Sequence, residues 1–116
     1  HRNLGYSNPH HPDVSTPREV EWVTGAALAV WRSVWDELGG FDPIYGRGYF
    51  EDADFCLKAR EAGHLVWYEP RCTLFHKVAS TGGNPRFAVN AQLWRERWVY
   101  TGKVKAGLAL ATVRYW

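Results

Sequence analysis

With 116 residues the chain has room for one small hydrophobic core and not for two. Its apolar fraction of 46% is that of a globular protein, and Trp 7 and Tyr 6 supply core, interface or ligand-stacking surface. A formal net charge of +2 with scattered basic residues argues against nucleic-acid binding, and no apolar run approaches the length of a membrane span.

Residues 1–19 are polar, with His1, His10 and His11 and prolines at 9, 12 and 17, and read as an extended approach segment. The histidines have no assigned role beyond solvated loop. The absence of an initiator Met and the loop-like opening lead us to expect a piece of a longer chain, without a signal peptide. Residues 20–31 form an apolar run interrupted by Thr24-Gly25, which predicts a strand, a turn or close-approach glycine, and a second buried strand. Ser33 is the expected N-cap of a short helix over 34–38, and Gly39-Gly40 stops it. Residues 40–49, with Gly40, Asp42-Pro43, Gly46 and Gly48, read as a loop free to move.

A helix follows at 51–62, ended by Gly63 in the left-handed conformation. Leu65–Tyr68 and Cys72–Phe75 are expected strands on either side of the Glu69-Pro70 break. Residues 80–85 form a flexible loop, and 86–100 an amphipathic helix anchored by Phe87, Leu93, Trp94 and Trp98. Gly102 breaks it, and 103–115 read as a further helix. Cys56 and Cys72 are expected to be buried free thiols, since nothing else suggests a disulfide scaffold.

The helix beginning at Glu51 is the most informative element. At 3.6 residues per turn, Asp52, Phe55, Cys56, Ala59 and Ala62 share one face, while Asp54, Lys58 and Glu61 share the other. Asp52 therefore heads the expected buried face, directly after a glycine-rich loop. Asp54 and Lys58 read as an i,i+4 surface pair. Two roles are open for the acids at the helix start: they stabilise its N–H groups and dipole, or they carry acid–base chemistry. His76, after the apolar Leu74-Phe75, is either a hydrogen-bonded structural residue or a site residue. Asp52, Cys56, Cys72 and His76 can also be grouped as a zinc set, although no Cys-x-x-Cys pair is present.

The ordered motifs resemble the second half of glycosyltransferase family 2, the inverting enzymes with the GT-A fold. They are Val23-Thr24-Gly25-Ala26, Leu38-Gly39-Gly40-Phe41-Asp42, and the run from Tyr49-Phe50-Glu51-Asp52 to Ala59-Arg60. Gly63-His64, Val66-Trp67-Tyr68-Glu69-Pro70, and His76 with Ser80-Thr81-Gly82 complete the series. Six motifs in order, over residues 20 to 83, form a specific pattern, although each alone is weak. The resemblance implies an α/β fold, the C-terminal half of a GT-A domain over 20–85, followed by a helical segment over 86–116. It implies Asp52 as the general base toward the acceptor hydroxyl, and Glu51 as a support of the acceptor site or helix start. It sets Thr24, Gly25 and Ala26 beside donor sugar and acceptor, and makes His76 a ligand of a divalent metal, Mg²⁺ or Mn²⁺.

The family's nucleotide-binding half, with its Asp-X-Asp motif, has no counterpart before Val23. Asp52-Ala53-Asp54 has that spelling but lies in the helix. Trp31 stands where many relatives carry a basic residue. The implied parent transfers sugar from a nucleotide-sugar donor to a glycan or lipid-linked acceptor in bacterial surface polysaccharide synthesis, at the cytoplasmic face. The fragment alone is expected to be inactive and, with an exposed sheet edge, to self-associate. The competing reading is a non-enzymatic carbohydrate-binding or interaction module, resting on the aromatic excess.

Overall fold

The computed structural model describes residues 12–74 and 85–104. After a single helical turn, α1 (Pro12–Ser15), the chain enters a two-residue strand β1 (Arg18–Glu19) and a 3₁₀ turn at Gly25–Ala27. Helix α2 (Arg32–Leu38) and a 3₁₀ turn at Pro43–Tyr45 lead to the principal helix α3 (Glu51–Glu61). Strand β2 (Trp67–Tyr68) pairs antiparallel with β1, Arg18 opposite Tyr68 and Glu19 opposite Trp67. Helix α4 (Phe87–Trp94) runs straight into a π-helical turn over Arg95–Val99. The result is a mixed helix-and-strand arrangement compatible with an α/β fragment. No helix among the described residues is long and apolar enough to cross a membrane.

The core lies between α3 and the α4 segment. Tyr45, Phe50, Ala53, Leu57, Ala91, Trp94, Trp98 and Val104 are buried together. Truncating a tryptophan so enclosed typically costs ~3–5 kcal/mol, so these two indoles anchor the C-terminal segment to α3. On its other side α3 packs Phe55 against Trp35 of α2 and Phe41, with ring centroids 5.1 and 5.8 Å away. The helix is thus covered on two sides, and Ala53 through Leu57 are all buried.

Several expected elements formed as read. α3 ends in a Schellman arrangement: Gly63, at φ +89°, donates to Arg60 O, and His64 N–H reaches Ala59 O at 2.9 Å. The π-helical turn completes the predicted 86–100 helix, and Gly102 leaves it at φ +74°.

Others did not. Residues 20–31 form neither expected strand, and at the turn between them side chains take the amide protons of Gly25 and Ala26. Thr24 Oγ1 accepts from Ala26 N–H, and Asp52 accepts from Gly25 N–H. Only Val20 extends the ladder, donating to Val66 O at 2.9 Å. The second half of the run is exposed rather than buried, Trp31 most of all at 82%. Helix α2 starts at Arg32 with Trp31 as an N-cap that makes no side-chain bond, so Ser33 lies inside the first turn. Leu65–Tyr68 contracts to the two residues of β2, and Cys72 to Leu74 are irregular. Both thiols are free, but only Cys56 is buried; Cys72 is exposed. Residues 1–11, the loop 80–84 and the expected helix beyond Val104 lie outside the described residues, as does Phe75.

Gly40 fixes the turn between α2 and the following loop. It sits at φ +69°, and a Cβ there would lie 2.7 Å from the Trp35 ring. A side chain would bring both left-handed strain and overpacking against a large ring. Gly40→Ala is expected to cost about 2–4 kcal/mol, read as a lowered urea midpoint at unchanged m-value.

Candidate functional site

The segment 41–50 is held by hydrogen bonds and packing at both ends. Asp42 caps the 3₁₀ turn by accepting from Ile44 N–H at 3.0 Å, and the Tyr45 side chain is buried. Downstream, Tyr49 (φ +68°) and Phe50 (φ +75°) are consecutive aromatic residues in the left-handed region. Each such residue costs ~1–3 kcal/mol and persists only where its surroundings enforce it. Here the enforcement is packing and hydrogen bonding from α4. Phe87 stacks edge-on to Tyr49 and tilted to Phe50, centroids 5.3 and 5.4 Å away. Asn90 binds the loop's carbonyl groups. α3 begins at the next residue, so this turn aims Glu51 and Asp52.

Asp52 is half-buried and spans 27 residues of sequence to meet Gly25. Its Oδ2 accepts Gly25 N–H at 2.8 Å, and its Oδ1 accepts Ala53 N–H at 2.8 Å. A methyl group at position 25 would lie 3.3 Å from Asp52 Cβ and 3.6 Å from Oδ2. Glycine is therefore what allows the backbone to approach the carboxylate this closely. Thr24, Gly25 and Ala26 are all exposed, so the contact lies at the surface with the Phe41 ring edge beside it. An ionised carboxylate has about four lone-pair directions, so two backbone donors leave room for a hydroxyl.

Glu51 is half-buried, and its Oε2 finds no hydrogen-bond partner among the described residues. Burial raises its carboxyl above the ordinary glutamate range, and the neighbouring charge of Asp52 adds to this. One turn along, Cys56 Sγ lies 3.9 Å from Val23 O. Burial pushes that thiol up to about 11, which leaves it a poor metal ligand and nucleophile. Asp52 and Cys56 thus share the face that meets residues 23–25, as the helical period indicates.

The opposite face is not the solvated one that the same period indicates. Asp54 is fully buried, and its Oδ1 accepts from Tyr45 Oη at 3.1 Å, Arg97 Nη1 at 2.9 Å and Trp98 Nε1 at 2.8 Å. Lys58 Nζ forms an ion pair with Oδ2 at 2.9 Å. The predicted Asp54–Lys58 pair therefore exists, but its acid is the centre of an interior network. Arg97 and Lys58 also hold Asp42, at 2.8 and 3.3 Å. The π-helical turn falls where adjacent residues 97 and 98 both reach one carboxylate, marked by Tyr100 N–H bonding Arg95 O at 2.9 Å. Burial and the Asp54 charge drive the Tyr45 phenol well above its usual range, so it stays a neutral donor.

The Ile44 amide, then the Arg97 guanidinium, and more weakly Lys58 hold Asp42 down to about 2 from 3.8, against an opposing effect of burial. A depressed folded-state value means that protonation favours the unfolded chain. The stabilisation is fully present above pH ~4 and is lost as pH falls toward ~2. Urea midpoints measured between these limits should fall, and Asp42→Asn should flatten that part of the profile.

His76 lies outside the described residues, so neither its metal role nor the zinc grouping has a geometry here. Among the described residues, no three His, Cys, Asp or Glu side chains converge to hold a cation.

Over 69 residues the chain is 42% identical to an N-acetylglucosaminyl-diphospho-decaprenol L-rhamnosyltransferase of Mycobacterium tuberculosis, a match covering 59% of this chain and 22% of that protein. It is 30% identical over 83 residues to an uncharacterised protein of Sinorhizobium fredii, covering 66% of this chain and 9% of that one. It is 36% identical over 69 residues to an uncharacterised protein of Mycobacterium bovis, covering 55% and 26%. The chain therefore matches about a quarter or less of the length of these relatives. No family model matches, and no solved structure matches.

Proposed function

We propose that this chain is the acceptor-side part of an inverting glycosyltransferase of family 2, with a GT-A catalytic domain, and that Asp52 is its general base. The observation that carries the reading is the Asp52–Gly25 contact at 2.8 Å, which joins the two sequence motifs on which such a site depends. The similarity to a rhamnosyltransferase supports the same class of reaction. The acceptor we infer is a glycan or a lipid-linked sugar diphosphate, met at the cytoplasmic face of the membrane, and the donor is a nucleotide sugar.

In this reading the acceptor hydroxyl approaches Asp52 from the exposed side of Thr24-Gly25-Ala26. Its oxygen bonds to the anomeric carbon as its proton passes to the Asp52 carboxylate. The bond from that carbon to the nucleoside diphosphate breaks on the opposite side, the electron pair leaves with the phosphate, and configuration inverts. The Gly25 amide holds Asp52 in one orientation, which removes a rotameric search from the barrier. Glu51, raised by burial, stands beside it as a hydrogen-bonding group for the acceptor.

Donor binding requires residues outside this chain, so the isolated fragment is inactive in this account. The resemblance also implies Mg²⁺ or Mn²⁺, which would screen the diphosphate of the leaving group. The described residues do not form a site for it, and no step above depends on it.

The test is sugar transfer by the longer protein from a panel of nucleotide sugars, before and after Asp52→Asn. Transfer that persists unchanged in the variant overturns the base assignment. A protein that binds glycans but turns over no donor is a carbohydrate-binding module instead.

A further inference from the structure

Asn90 is fully buried on α4, yet its side chain serves a different part of the chain. Its Nδ2 donates to Tyr45 O at 2.7 Å, Gly48 O at 2.9 Å and Tyr49 O at 3.2 Å, 41 to 45 residues away. An amide nitrogen has two protons, so three carbonyls share them and must converge on one point. They converge only while the chain from Tyr45 to Tyr49 is curled around that nitrogen. The left-handed pair Tyr49 and Phe50 follows at once, and the acidic pair Glu51-Asp52 after it. Nothing in the side chains of Tyr49 and Phe50 favours that backbone, since bulky residues avoid it. The enforcing groups are therefore tertiary; Arg86 Nη2 reaches Ile44 O at 3.1 Å just upstream, and Asn90 binds the backbone of the turn itself. Its own Oδ1 has no partner among the described residues, so the residue is not held there by a satisfied network of its own.

We propose that Asn90 is a positioning residue: its amide clamps the three carbonyls, holds the strained turn at Tyr49-Phe50, and so sets Asp52 against the Gly25 amide. The proposal rests on the reading of Asp52 as a base for its functional meaning, but the clamp itself can be tested without substrate.

The test is a pH titration of the Gly25 amide resonance in this chain by ¹H–¹⁵N NMR. In the wild type that amide should follow ionisation of Asp52, because it donates to the carboxylate. Asp52→Asn should abolish the response; a response that persists shows that the contact is not the reporter and overturns the proposal. Asn90→Ala, folded by the criterion of dispersed Trp94 and Trp98 indole signals, should lose about half or more of the Gly25 amplitude. The double variant Tyr49→Gly/Asn90→Ala should recover it, because glycine accepts the left-handed backbone without enforcement.

An unchanged amplitude in folded Asn90→Ala overturns the clamp. Loss that glycine at position 49 does not restore assigns Asn90 to core packing and overturns it equally. Where Asn90→Ala alone does not fold, the double variant still decides. Folding with the Gly25 response supports the clamp, and failure to fold overturns it. Sugar transfer by Asp52→Asn in the longer protein is a separate measurement. The base assignment can fail with the clamp intact, and the clamp can fail with the base assignment intact.

Discussion

Asp54→Ala is expected to destabilise the chain by about 3–5 kcal/mol, a large share of the ~5–15 kcal/mol typical of a whole domain. The size follows from what is left behind. Arg97 remains beside a buried space with its charge half unpaired, while Trp98 Nε1 and Tyr45 Oη lose the acceptor they share. Removing one partner of a buried charged network costs more than the network contributes net, because the orphaned groups stay desolvated. Asp54→Asn keeps one acceptor oxygen and the shape, so it should fall between wild type and alanine. Asp42→Ala removes a partly exposed partner of the same Arg97 and should cost about 1 kcal/mol. Urea unfolding followed by tryptophan fluorescence measures all three, and a double-mutant cycle with Arg97→Ala should give coupling above about 1 kcal/mol. An Asp54→Ala loss below that of Asp42→Ala would sink the view of Asp54 as the centre of the network.

The same residue shows where sequence reasoning runs out. The helical period correctly joins Asp52, Phe55 and Cys56 on one face, because that face has a single covering layer in residues 23–25, Trp35 and Phe41. It misplaces Asp54 because a period argument assumes one buried stripe, whereas α3 is covered on both sides. The second cover comes from Arg97 and Trp98, 43 and 44 residues away, and no local signal announces it. The Gly63 stop was legible because a left-handed C-terminal cap is a local requirement. The two strands expected within 20–31 do not form, and the close-approach glycine expected between them does, its amide bound by Asp52, 27 residues away. Tyr49 and Phe50 are the extreme case. Their side chains argue against the backbone they adopt, and the groups that hold it, Phe87, Asn90 and Trp94 among them, lie about 40 residues away across the core. For the site, the motif pair Thr24-Gly25-Ala26 and Glu51-Asp52 was visible in the sequence. That one carboxylate oxygen joins them was not.

On the proposed reading of Asp52 as a general base, Asp52→Asn in the longer protein is expected to lower kcat by about 10²–10⁴-fold, the range that a positioned base contributes. The substitution is nearly isosteric, and its single amide oxygen can keep the Gly25 N–H, although the Ala53 N–H that the second carboxylate oxygen accepts then loses its partner. What disappears is the capacity to take a proton. Because that capacity matters in the transition state and not in donor binding, KM for the donor should stay near the wild-type value while kcat falls. Glu51→Gln is the informative companion. Burial raises its carboxyl above the ordinary glutamate range, so the neutral amide removes a charge that the site holds at a cost. Its effect on kcat should be much the smaller of the two, with any loss expressed in KM for the acceptor. If Glu51→Gln instead proves as damaging to kcat as Asp52→Asn, the two acids share the proton. If the order is reversed, Glu51 is the base and the Asp52–Gly25 contact is the structural hinge that supports it. Steady-state kinetics on the two variants, with donor and acceptor varied separately, distinguishes these outcomes.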